Sequence, residues 1–244
     1  VDGRIAGSVN FRQTRLPLNG APPPAEHVDR RSDSTRLQIL HAASRLFARS
    51  SYSRVNLDDI LADAAVTKGA MYFHFRSKHA LASAIVELRM EEARASVDEV
   101  LARRLSGLET LIDLSFRIAI DDIGSEVARA GLNLLESIGR TDGMQSGFLG
   151  RWVEGYARVI GRAVEEGDVR DQDDAEAIGR LLVSVYMGLR QTSDLDDPER
   201  FMRDLQSAWM LLLPGLTTPD RISYLAEFVK RRTAVAVKRA TPLG

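Results

Sequence analysis

Between Ala65 and Phe75 the chain reads AVTKGAMYFHF, and three of its side chains could meet a polyanion: the Lys68 ammonium, the Tyr72 hydroxyl and the His74 imidazole. In a helix capped by Thr67, Lys68 and Tyr72 stand four residues apart on one face, Gly69 and Phe73 extend that face, and Met71 points the other way. Lys68 supplies an ammonium to a phosphate or a guanine edge, Tyr72 offers a hydroxyl to a phosphate, and Gly69 lets the backbone approach closely. His74 can donate a ring N–H to a sugar-phosphate backbone. Lys78 follows at the start of another helix, where free amides and the helix dipole already favour an anion. Selection among bases would rest on Lys68, Gly69 and Phe73, with Thr67 and Asn56 as further candidates. The competing reading makes the aromatics ordinary core residues. It holds for Phe75 and stays open for Phe73, but not for Tyr72, which shares with Lys68 the face opposite Met71.

Other chemistries find little support. There is no cysteine, so neither a disulfide framework nor a thiolate metal cage can form, which suits a reducing cytoplasm. His74 and His79 are five apart rather than four, and His27 and His41 read as surface groups, so neither metal nor cofactor is expected. A hydrolase is the rival from another class, yet no G-x-S-x-G elbow or His-Asp-Ser arrangement is present. The most apolar stretch, WMLLLPGL from Trp209 to Leu216, is broken by Pro214 and is far shorter than the roughly 20 residues that span a bilayer. The opening VDGRIAGSVNF lacks the apolar block of a secretory signal, so a cytoplasmic protein without a membrane partner is expected.

Elements that could hold the 65–75 stretch in place are legible from apolar spacing. Ile39, Ala42, Ala43, Leu46 and Phe47 mark one face of a helix over about 34–50. Asn56 can cap a short second helix, 57–64, with Leu57, Ile60, Leu61 and Ala64 on one side. Thr67 caps a third through Phe73, and Ser77 a fourth from Lys78 towards Arg104. Met71, Phe75 and Val66 can then pack on Leu57, Leu61 and Phe47, leaving the cationic, aromatic face outward, as in a helix-turn-helix whose second helix enters a major groove. Further helices are predicted at about 107–121, 124–139, 146–167, 173–193, 198–213 and 219–238, each break carrying Gly, Pro or clustered Asp. The expected fold is all-α: a helix-turn-helix DNA-binding domain over 34–80, preceded by a flexible arm over 1–33 and followed by a larger helical domain over 81–244. The net charge of −1 hides an asymmetry, because residues 28–80 hold nine Lys/Arg against five Asp, whereas 81–244 carry −6. A basic module meeting a polyanion and an acidic module with another task would produce that split.

The run ILHAASRLFARSSYSRVNLDDILADAAVTKGAMYFHFRSKHALASAIV, Ile39 to Val86, resembles the DNA-binding domain of TetR-family transcriptional regulators, with VTKGAMYFHFRSKHAL as the specific part. The resemblance implies a homodimer, a near-palindromic double-stranded DNA operator, and repression relieved by a small hydrophobic effector. It assigns DNA contacts to Thr67, Lys68, Gly69, Tyr72, His74 and Lys78. His79 departs from the family, which commonly has an acidic residue there. EVARAGLNLL (Glu126 to Leu135) and FLGRWVEGY (Phe148 to Tyr156) are similar to segments of actinobacterial γ-butyrolactone receptors, in which a tryptophan matching Trp152 lines the pocket for a lactone or furan. Position adds Ser83, Ile85, Leu88, Arg89, Phe116, Tyr156, Tyr186 and Met187 as pocket candidates, with Ser83, Tyr156 and Tyr186 as preferred polar points. For the dimer interface, Leu181, Leu182, Val185 and Leu189, together with Ile178, offer an apolar face. Ile222, Leu225 and Val229 on the last helix could pair with it as a four-helix bundle. The alternative is a ligand-blind regulator whose acidic domain only dimerises, or one sensing an unrelated hydrophobic compound.

Overall fold

A computed structural model describes residues 24–140, 143–170 and 174–243, with side chains from Asp33 onward. Ten α-helices run in order: α1 (Pro24–Arg49), α2 (Leu57–Ala64), α3 (Lys68–His74), α4 (Lys78–Leu101), α5 (Gly107–Gly124), α6 (Glu126–Ser137), α7 (Met144–Glu165), α8 (Ala175–Thr192), α9 (Pro198–Leu216) and α10 (Pro219–Arg239). Among the described residues the only extended pairing is an isolated bridge between Val169 and Thr217, so the all-α expectation holds.

Most helix starts carry a cap that the sequence announces. The hydroxyls of Thr67, Ser77, Ser106 and Ser125 accept N–H bonds from residues three further on. Four ends differ from expectation, one being that of α5, which runs to Gly124 rather than to about 121. Helix α1 begins at Pro24, earlier than its apolar stripe, with a proline at its first position, where the missing N–H has no partner to lose and the fixed φ is already helical. The part of the expected arm at 1–23, like the side chain of His27, lies outside the described residues. Helix α4 stops at Leu101 instead of reaching Arg104, whose φ of 53° is left-handed. Helix α9 passes through Pro214 to Leu216, since the buried Leu213 and Leu216 hold the last turn where one backbone bond is missing.

Two apolar clusters organise the molecule. The first joins α1, α2, α3 and the start of α4, through Phe47, Ile60, Met71, Phe75, Leu81 and Ile85, but α6 completes it with Ala130, Leu132, Leu134 and Leu135. The second is built around α5, which is buried along almost its whole length between α4, α7, α9 and α10. Helix α6 therefore belongs by sequence to the larger acidic half and by packing to the small basic one.

Candidate functional site

The turn between α2 and α3 is tight. Ala65 takes a left-handed φ of 52° at the end of α2, and Val66 donates to the Leu61 carbonyl at 3.2 Å. Asp59 Oδ2 accepts the Asn56 N–H at 3.2 Å at the other end of α2, and Arg45 of α1 grips Asp63 at 2.6 Å. Helix α3 has only seven residues, too few to be stable alone, so it is held by the Thr67 cap and by Met71, which is fully buried beside Phe75.

Its other face is open. Lys68 and Gly69 are exposed, Tyr72 is 44% exposed, and Phe73 is 80% exposed. Phe73, left undecided by the sequence, thus belongs to the outer face, where an uncovered ring has no folding role and suits a thymine methyl. His74 is half-buried edge-on to Phe73, with ring centroids 5.0 Å apart. A Cβ added at Gly69 would find nothing nearer than Thr67 Oγ1 at 4.0 Å, so packing does not require glycine here. Thr67 Oγ1 accepts the Ala70 N–H at 3.2 Å, leaving its own proton to donate outward. At the start of α4, Lys78 Nζ lies 4.2 Å from the centre of the Tyr52 ring, and burial lowers its pKa. The exposed Lys68–Tyr72 face and the Lys78 ammonium are therefore brought to one end of the molecule.

In the acidic half a cavity of about 650 Å³ opens between α4 and α7, walled on its inner side by Leu114, Ile118 and Leu132. Of the residues singled out in the sequence, Trp152, Tyr156 and Arg89 line it, together with Phe148, Val97 and Leu101. Trp152 stands T-shaped to Phe148, Tyr156 and Tyr186, at 5.8, 6.1 and 5.8 Å, and so is at once packed and a cavity wall. Burial pushes the Tyr156 phenol up from its ordinary pKa, so it remains a neutral hydroxyl.

Six candidates do not line this cavity, Ile85 among them, which is fully buried in the first cluster. Ser83 donates to the His79 carbonyl at 3.0 Å, and Leu88 packs into the first cluster. Phe116 is buried in the second cluster, and Met187 packs against it. Tyr186 is buried behind Trp152, where its hydroxyl donates to Asp122 at 3.3 Å. Among the cavity residues that sequence reasoning passed over, Ala93, Val97 and Leu101 recur every four positions along α4. That spacing was available, but it extended the helix without saying what faced it.

The apolar faces expected at a dimer interface are also redistributed. Leu225 and Val229 are 0% exposed and Leu182 is buried, so the protomer core consumes them; Ile222 is only half-buried. Leu181 is exposed and Val185 and Leu189 are half-buried on α8, where the neighbouring open apolar surface comes from α9 instead: Leu211 is 82% exposed beside half-buried Ala208 and Leu212. Periodicity marked the α10 stripe correctly but could not show that α5 and α9 cover it.

A polar chain ties α8, through α5 and α6, to the end of α1. Arg190, on α8, bonds Asp122, Glu136 at 2.7 Å and Asn133 Oδ1 at 3.0 Å. Asn133 Nδ2 in turn donates to the Phe47 and Ala48 carbonyls near the end of α1, at 3.2 and 3.3 Å. Among the described residues no group of acidic and histidine side chains could hold a metal ion, and no helix is long and apolar enough to cross a membrane.

Comparison with known proteins fits this arrangement. Residues 39–85 match the family of bacterial regulatory proteins named for tetR, and residues 105–218 match the tetracyclin repressor-like C-terminal domain. The chain is similar to the A-factor receptor protein of Streptomyces griseus, with 30% identity over 202 residues, 80% of this chain and 68% of that protein. It resembles a crystal structure of an ArpA-like γ-butyrolactone receptor, with a TM-score of 0.72 and 31% identity over 84% of this chain and 99% of the other. CprB of Streptomyces coelicolor, solved with its operator sequence, is similar at a TM-score of 0.70 and 31% identity, again over 84% of this chain and 99% of the other. Matched in both halves, the chain belongs to the TetR family of transcriptional regulators and is related within it to the γ-butyrolactone receptors.

Proposed function

We propose that the protein is a ligand-responsive repressor that binds a near-palindromic operator as a homodimer and is released by a small hydrophobic signal of γ-butyrolactone or furan type. Two copies joined through Leu181 and Val185 of α8 and Leu211 and Leu212 of α9 would carry two α3 helices, one for each half-site. Lys68, Gly69, Tyr72 and Phe73 face the groove, while Thr67, His74 and Lys78 hold the phosphates and Asn56 stands at the margin. Relatives described as γ-butyrolactone receptors, and one solved on its operator, support this reading. No enzymatic step is assigned.

The observation that carries it is a shared wall. Leu132 and Phe148 line the cavity and also pack in or against the apolar cluster that holds α3. Helix α4 begins at the reading end with Lys78 and lines the cavity from Arg89 to Leu101. A ligand seated against Trp152 that prefers a shifted α4 and α6 changes the spacing of the α3 pair, and operator affinity falls by its differential affinity for the two states, typically ~1–3 kcal/mol. The test begins by selecting bound fragments from genomic DNA, then titrating the protein onto one with and without a γ-butyrolactone. Weakening by roughly 5–150-fold at saturating ligand is expected. Trp152→Ala should abolish the response and keep the DNA affinity; unchanged retention in the wild type would leave a ligand-blind regulator.

A further inference from the structure

Three arginines are buried among the described residues, and two of them are fully engaged. Arg129 pairs with Asp196 at 2.6 Å and donates to the Ile123 carbonyl at 2.9 Å, while Arg190 holds Asp122, Glu136 and Asn133. Arg89 is the third. It is 3% exposed, lines the cavity, and has no hydrogen bond or ion pair among the described residues; its Nε is enclosed with no acceptor. Glu92, three residues on, feels the Arg89 charge without pairing with it. A guanidinium taken out of water without a counter-ion costs several kcal/mol, a cost this fold avoids at both other sites.

Room has been made for this side chain. A Cβ at Gly131 would come within 2.6 Å of Arg89 Cβ and 2.9 Å of its Cγ, so α6 runs past the arginine stem only because residue 131 has none. The surrounding charge points the same way. Arg94, Arg151, Arg158 and Arg162 join Arg89 around the cavity against only Asp98 and Glu154, although residues 81–244 are net acidic.

Resting on the reading of this cavity as the effector site, we propose that Arg89 anchors an oxyanion, so that among small hydrophobic ligands of lactone or furan type those bearing a carboxylate or equivalent acid group are held most tightly. The planar guanidinium matches a carboxylate through two parallel N–H bonds, strengthened by the low dielectric around a side chain that is itself buried. Val97, Leu101, Phe148 and Trp152 would enclose the apolar body. A neutral lactone satisfies the walls but leaves the arginine without its counter-charge.

Two fluorescent probes that share a ring system separate the terms: 1-anilinonaphthalene-8-sulfonate, which is anionic, and N-phenyl-1-naphthylamine, which lacks the sulfonate. On the full chain the anionic probe should bind roughly 10–100-fold more tightly, the range of a charge-assisted bond. Arg89→Met should erase that preference while still binding the neutral probe, Arg89→Lys should keep part of it, and Trp152→Ala should weaken both probes. Decanoate should displace the neutral probe from the wild type at concentrations at least tenfold below decanol, a comparison that needs no variant to fold. Equal affinities for the two probes, a preference that survives Arg89→Met, or decanol matching decanoate would overturn the anchor and leave the cavity standing. Failure of both probes to bind the wild type would overturn the cavity reading and the anchor with it.

Discussion

At the scale of single residues, α3 uses each position once. Met71 is spent inward, the Thr67 hydroxyl on the cap, and the remaining outward groups have no folding task. Gly69 separates the two demands most cleanly. Alanine there has open space around its methyl and a better helix propensity, so Gly69→Ala should keep or slightly raise thermal stability. It should still weaken operator binding, by about 1–3 kcal/mol per half-site if the methyl displaces one contact, measured by fluorescence anisotropy. Lys68→Ala should lose a similar amount and also flatten the salt dependence of binding, because it removes a charge from the interface. Unchanged affinity in both variants would mean that the exposed face of α3 is not the reading face. The Lys68–Tyr72 pairing was legible in the sequence because helical spacing alone puts residues i and i+4 together. The isolation of Arg89 was not, since whether a cation is paired depends on which carboxylates the other helices bring near.

At the scale of helices, punctuation was the reliable signal. Caps at Asn56, Thr67 and Ser77 and the breaks at Gly, Pro and clustered Asp placed nearly every helix. The signal failed at the start of α1, which lies ahead of its apolar stripe, and at Pro214, where tertiary packing carries the last turn past the proline. It also marked faces without naming their covers, which is why Leu225 and Val229 read as an interface and are core. Between helices the Asp122–Arg190 pair carries the largest electrostatic stake. Both side chains are buried, and Arg190 ties α8 to α5 and α6 at once. Arg190→Met leaves Asp122 uncompensated in a low-dielectric interior and should cost roughly 3–5 kcal/mol in urea unfolding. Adding Asp122→Asn should recover part of that loss; a single mutant as stable as wild type would show that the pair is solvated in solution.

At the scale of the whole molecule, the unpaired apolar strip along α8 and α9 is where a second copy would sit. Leu211→Asp puts a charge in the middle of that strip without touching either apolar cluster. Sedimentation should then report a monomer, with operator affinity down by well over tenfold because the two half-sites are no longer read by one linked body. A dimer that persists would move the interface elsewhere. One further property follows from α6. Leu132, Leu134 and Leu135 are as much the interior of the helix-turn-helix unit as Met71 is, so that unit borrows its solidity from the larger half. If the proposed function holds, an effector that stiffens the larger half must stiffen the helix-turn-helix unit too, even as it prises that unit from its groove. Release is then a change of posture by an intact machine, and heat would melt both parts together in one transition.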